Sequence, residues 1–467
     1  MPGVKRAKRA LSTEGRGSKK RPDAKQEADI GDGVQFEDDF EDEFVPEEVY
    51  EGGSDDEDEE MDEDKPVRIW RPGVDELAED EELQAAPGAY DMLHRGEVEW
   101  PCLTFDIVPD KLGAQRSKYP LTAYVMSGTE ADRGDRNAIF IMKWCHLHKT
   151  AKDDDMEASS DSESSMEDQD AAVEFRRVPH PGVVNRLRIM PQVSNIVATW
   201  SDSGAVHMWD VRNELLAIDR EGWAEPEKQK PIQSFQHTTE GFAMAFSPHK
   251  ENVGRFISGD CAGKIHLWEP REGGWDVDTQ PFEGHSDSVE DVQFRPQGDQ
   301  DVFVSASADR TVRVWDVRTG KTPVEVLQAH DTDVNVLALN PKMSDLLLTG
   351  SDDGCFKVFD LRGLGAGALA NFRWHTKPIT SVGWHPTDDT CLAVSSADNT
   401  LSIWDMAVED DSAGMDKPEG ADHFPPQLLF LHQGQTDIKE LKWHPQIPGV
   451  IVSTASDGFN IFRTSNI

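Results

Sequence analysis

From residue 98 onward, apolar and polar positions alternate in short runs rich in β-branched and aromatic residues, separated by turn residues. Period-two alternation marks half-buried strands, and few stretches carry the 3.6-residue period of a helix. Seven runs close on an aromatic residue: Trp144, Trp209, Trp268, Trp315, Phe359, Trp404 and Phe462. Their separations are 65, 59, 47, 44, 45 and 58 residues. The shorter ones match the ~40–45-residue period of a four-stranded propeller blade, and the longer ones carry inserts. A histidine precedes six of the aromatics by 29 to 31 residues: His180, His237, His285, His330, His375 and His432. A proline follows each histidine, 11 residues on in five cases and 13 in the sixth. Six repeats in register predict an all-β, seven-bladed propeller. A polar motif present six times is structural, since a catalytic site occurs once.

The N-terminal segment is of another kind. Residues 1–25 hold nine Lys or Arg and two acids. The clusters Lys5, Arg6, Lys8, Arg9 and Lys19, Lys20, Arg21 have the spacing of a bipartite nuclear-import signal. Residues 37–64 then hold 18 acids and no base, and residues 153–170 hold nine acids and no base. These two runs supply −27 of the formal charge of −42. Each has too few apolar residues to fold, so 1–64 is expected to be a disordered tail and 65–467 the propeller with an acidic insert. Ser54, Ser160, Ser164 and Ser165 precede acids at the spacing used by acid-directed kinases.

Charge and composition also exclude. No apolar run reaches ~18 residues, so no transmembrane helix is expected, and the N-terminus lacks the apolar core of a secretory signal. Five cysteines with no CxxC pair point to a reducing compartment rather than a disulfide or zinc framework. The acidity disfavours direct nucleic-acid binding and favours a basic protein partner. No nucleotide or phosphate loop, nucleophile elbow or kinase signature is present; the closely spaced glycines at 363–369 open no helix. No enzyme, cofactor or metal is expected, no membrane contact, and a monomer.

The histidine–aromatic register resembles the WD-repeat family over roughly residues 66–467. That resemblance implies a hydrogen-bonded set of His, Ser or Thr, Asp and Trp inside each blade. His285, Ser305, Asp309 and Trp315 fit, as do His375, Ser395, Asp398 and Trp404, with a truncated set of His330, Thr349 and Asp353 in blade five. In blades two, three and seven the Asp moves to Asp202, Asp260 and Asp457. Ring closure needs an outer strand for blade seven, and KPVRIWRP at 65–72 is expected to supply it. Residues 88–95 are expected to form a short helix on the propeller side. The run YDMLHRGEVEWPCLTFDI resembles the histone-binding branch of the family, and PPQLLFLH at 425–432 is a second match. This implies a groove for a basic helix edged by Glu97, Glu99, Glu409, Asp410 and Asp411.

Together, the basic tail, acidic stretch, histone-binding-like segment and seven repeats resemble the glutamate-rich WD-repeat family of ribosome biogenesis. The resemblance implies a nuclear and nucleolar chaperone of pre-ribosomal particles whose client is a basic ribosomal protein, large-subunit protein three. Core histones are the alternative partner. A cullin-ligase adaptor is a third, through Arg212, Arg318 or Arg362 of the WDVR and FDLR runs. Independently of the resemblance, Glu240, Asp287, Glu290, Asp331, Asp333 and Asp437 follow the repeat histidines closely, where loops would share one face of the ring.

Overall fold

A computed structural model describes residues 34–35, 86, 88–150, 170–220, 229–409 and 424–467. Seven four-stranded antiparallel sheets form the blades of a propeller, and a strand at Val34–Gln35 extends the first sheet to five. Strands are lettered a to d from the channel outward. Blade one comprises Cys102–Ile107, Leu121–Thr129, Ala138–Leu147 and Ala172–Pro179. Blades two to six follow at 184–236, 243–277, 289–328, 334–373 and 379–432. Blade seven takes strands a to c from Glu440–Trp443, Val450–Ala455 and Gly458–Thr464.

Strand d of blade seven is Tyr90–Gly96, paired with Gly458–Thr464 from Tyr90↔Thr464 to Gly96↔Phe459. The expected helix at 88–95 is therefore a strand, and the expected closing strand at 65–72 does not hold that place. Residues 65–72 lie outside the described residues. The reason is legible in the burial: Met92, His94 and Gly96 are buried and alternate with half-buried neighbours, a period of two. Tyr90 seals the join. Its hydroxyl lies 2.8 Å from His432 Nδ1, and its ring meets Phe430 and Phe462 edge-on at 5.1 and 5.9 Å.

Each blade buries its aromatic closer between sheets; Trp144, Trp209, Trp268, Trp315 and Trp404 are all inaccessible to solvent. In blade four, Trp315 Nε1 donates to Ser305 Oγ at 2.8 Å. His285 Nε2 lies 2.6 Å from the same hydroxyl, and its Nδ1 lies 2.9 Å from Asp309. Blade three has the same complete set through His237, Ser258, Asp260 and Trp268. Blade six differs from expectation. His375 pairs with Asp398 at 3.0 Å, but the hydroxyl that meets His375 and Trp404 belongs to Ser402, not Ser395. In blade five His330 reaches Thr349 at 2.8 Å, while Asp353 turns to Ser351 and the Cys355 amide. In blade two Asp202 accepts from the Val183 amide rather than from His180.

The seam between blades seven, one and two is ionic. Glu440 is 2% exposed and sits between Arg188 Nη2 at 2.8 Å and Arg186 Nη1 at 3.5 Å. It also accepts from Thr104 Oγ1 and the Phe105 amide at 2.8 and 3.0 Å. Burial pushes this carboxyl up, but Arg188, then Lys442 and Arg186, outweigh it and hold it at about 2. Asp106 completes the lock, accepting from the Ile189 amide and pairing with Lys442 at 3.2 Å. These groups line a cavity of about 450 Å³ in the channel, ringed by prolines at the strand ends.

Candidate partner-binding face

Because strands in a blade alternate in direction, the d–a and b–c connections share one face and the a–b and c–d connections share the other. The first is termed the crown and the second the base. Glu240, Asp287, Asp331, Asp333 and Asp437 lie on d–a connections, and Glu290 is the second residue of a strand that starts there. All six candidates therefore come to the crown. Glu97 and Glu99, in the connection from Tyr90–Gly96 to Cys102–Ile107, join them. The b–c turns hold these loops in place. Gly263 has φ +79 and Gly354 φ +79, and a Cβ at either would meet a carbonyl of the neighbouring d–a loop at 2.7 or 2.3 Å. Only glycine fits that φ and that approach.

The crown acids differ in what they touch. Glu97, Glu99, Glu240 and Asp331 are exposed, and none of the four has an ion pair among the described residues. Glu240 and Glu290 converge on Cys261, whose thiol is pushed up to about 11, first by burial and further by both carboxylates. Asp437 is bound by Lys439 at 2.5 Å, and its amide donates to Asn399. Glu130, in the blade-one b–c turn, was not anticipated from the sequence. It is half-buried near Lys439 and Asp437, and burial raises its carboxyl. Its signal was positional: it follows strand b of blade one, as Asp202 follows strand b of blade two.

Among the described residues, the acids expected along the side groove divide between the two faces. Glu409 follows strand c of blade six and so belongs to the base, whereas Glu97 and Glu99 belong to the crown. The split follows from Tyr90–Gly96 being an outer strand, which delivers Glu97 to a d–a connection. Asp410 and Asp411 lie outside the described residues, as do the basic clusters at Lys5–Arg9 and Lys19–Arg21 and the candidate serines Ser54, Ser160, Ser164 and Ser165. The base carries the three arginines of the WDVR and FDLR runs, and each faces its own blade's aspartate. Arg318 pairs with Asp316 and Asp299 at 2.7 and 2.5 Å, Arg362 with Asp360 at 2.7 Å, and Arg212 with Asp210 at 3.8 Å.

Comparison with known proteins fits this architecture. The model of the WD domain, G-beta repeat, matches residues 277–316, 321–360 and 367–405. A family model described as that of histone-binding protein RBBP4 matches residues 80–148. Glutamate-rich WD repeat-containing protein 1 of Dictyostelium discoideum is 42% identical over 416 residues, covering 86% of each chain. Ribosome assembly protein rrb1 of Schizosaccharomyces pombe is 38% identical over 452 residues, covering 92% of each. The chain belongs to the glutamate-rich WD-repeat family. Protein HEAT STRESS TOLERANT DWD 1 of Arabidopsis thaliana is 44% identical over 436 residues, covering 86% of this chain and 92% of that one. The family is one of non-enzymatic WD-repeat scaffolds. The repeat histidines suit that role. Burial lowers His180 and His330 to about 4 and His432 to about 3, which leaves them neutral and structural.

Proposed function

We propose that this chain is an assembly factor of ribosome biogenesis that holds a basic large-subunit ribosomal protein, large-subunit protein three, before it meets ribosomal RNA. The observation that carries this reading is the crown: exposed carboxylates at several d–a loops of the ring. The relative named a ribosome assembly protein supports the process. A new ribosomal protein is strongly cationic, and acidic surface shields it from premature contacts. Charge attraction raises the encounter rate and weakens with salt, and rigid loops add the shape that a polyanion lacks. Release to ribosomal RNA, a stronger polyanion, needs no nucleotide hydrolysis. The basic clusters at Lys5–Arg9 and Lys19–Arg21 suit import into the nucleus and nucleolus.

A second reading, capture of core histones, is favoured by the match of residues 80–148 to the histone-binding model. Pull-down from nuclear extract separates the two by whether a ribosomal protein or core histones dominate. Within either reading, reversing Asp287, Asp331 and Asp333 together to Lys should abolish discrimination between the client and an unrelated basic protein. If discrimination survives there but is lost on reversing Glu409, Asp410 and Asp411, the side groove resembling the histone-binding site is the docking surface and the crown reading is wrong.

A further inference from the structure

The first sheet is the only five-stranded one among the described residues. Val34 and Gln35 pair antiparallel with Val173 and Ala172, at the start of the outer strand of blade one. An outer strand presents a row of unpaired backbone donors and acceptors, which a further strand can complete. The pairing also has a defined end. Carried two residues further in the same register, it would set Glu37 opposite Asp170. Directly opposed like charges destabilise a strand pair. Glu37 opens the acidic run 37–64, and Asp170 closes the acidic insert 153–170.

We propose that the outer edge of blade one is a docking edge filled by this chain's own Val34–Gln35 segment, and that this docking roots both acidic runs at one corner of the ring. Strand d of blade one runs from the base toward the crown, so Ala172 lies at its base end. Gln35, two residues before one run, and Ala172, two residues after the other, therefore lie together at that end, on the face opposite the crown carboxylates. This docking does not rest on the proposed function.

The test is disulfide trapping in the full-length chain, with Cys145→Ser because Cys145 is the strand partner of Ala172 on the other side. Gln35→Cys with Ala172→Cys should cross-link within the chain under mild oxidation, because paired Cα atoms fall within disulfide reach. Gln35→Cys with Glu174→Cys, displaced two residues (~6.6 Å) along the strand and so beyond the usual disulfide reach, should cross-link several-fold less. Peptide mapping by mass spectrometry reads both. Equal yields from the two pairs, or none from the first, would overturn the docking. A second readout covers misfolding: hydrogen exchange at Ala172 and Val173 in the chain with native cysteines should quicken several-fold when residues 1–36 are removed. Unchanged exchange there would also overturn it. Neither measurement uses a client, so failure of the ribosomal reading would leave both outcomes readable.

Discussion

The crown and the base of this ring are built from the same residue types and use them in opposite ways. On the base, several carboxylates are turned inward to cations of the ring itself, while Glu251, Glu272, Asp388 and Glu409 stay exposed with no ion pair among the described residues. Arg255 is shared by Glu269 and Asp301, and Arg318 by Asp299, Asp301 and Asp316. On the crown, Glu97, Glu99, Glu240 and Asp331 face solvent with no ion pair among the described residues. Many acids of the base are therefore neutralised within the ring, and these four acids of the crown are not. A count of acids cannot reveal this difference. It depends on which connections the acids occupy and on whether the next loop supplies a cation.

The sharpest way to break the comparison is to exchange a structural acid for a presented one. Glu440→Gln keeps the acceptor that Thr104 and the Phe105 amide use, but leaves Arg186 and Arg188 without their counter-charge. Removing one partner of a buried pair costs about 3–5 kcal/mol, so the urea midpoint should fall markedly. Asp331→Asn on the crown should leave that midpoint unchanged while weakening client binding at low salt. If both substitutions destabilise alike, the division into structural and presented acids fails.

Acid should act on the scaffold before any single surface pair matters. His180 and His330 fall to about 4, and His432 and His444 to about 3, in each case chiefly through burial. A histidine with a lowered folded pKa binds fewer protons folded than unfolded. Its contribution is full above the unfolded value of about 6.5 and is lost as pH falls toward the folded one. Asp309 and Glu440 act in the same direction at lower pH, since their folded carboxyls are held below the ordinary range. Tm should be flat near pH 7 to 8 and should fall steadily from about pH 6.5 to 4. A Tm that rises on acidification would mean that relief of net negative charge outweighs the buried histidines.

Much of this was written in the sequence, and the misses have definite causes. The histidine-to-aromatic spacing located the blades because each motif is local and repeated. It even contained the correction in blade six. The hydroxyl that bonds the tryptophan lies ten residues before it in blades two, three and four, at Thr199, Ser258 and Ser305. Ten residues before Trp404 stands Val394, so Ser402 takes over, while Ser395 is one position off and points to the other side of its strand. The closing strand was missed because 65–72 has the stronger β-branched signal, whereas Tyr90–Gly96 reveals itself only through alternation against a partner about 370 residues away. The Glu440 lock was hidden for the same reason, although Arg186 and Glu440 each stand five residues before the blade's proline. Crown membership of the six acids was readable, because it needs only the position after each repeat histidine. Which of them remain unpaired was not, because it depends on side-chain approach: Lys439 closes on Asp437, whereas no cation pairs with Glu240 or Asp331 among the described residues.

The smallest effect sharpens the comparison most finely, at Arg318. This side chain is 55% exposed and touches three aspartates of the base. Exposed pairs gain little, because water screens them and holding long side chains costs entropy. Arg318→Ala should therefore lower Tm by no more than about 2 °C. Its larger consequence is electrostatic: Asp299 and Asp316 lose a counter-charge and the base becomes locally acidic. If charge presentation alone determined client capture, this variant would bind an unrelated basic protein more tightly at low salt while its preference for the client stayed the same. Client affinity that rises in step with that unspecific gain marks attraction without docking. A preference that shifts toward or away from the client would instead place specific contacts on the base, and the division of labour between the two faces would have to be redrawn.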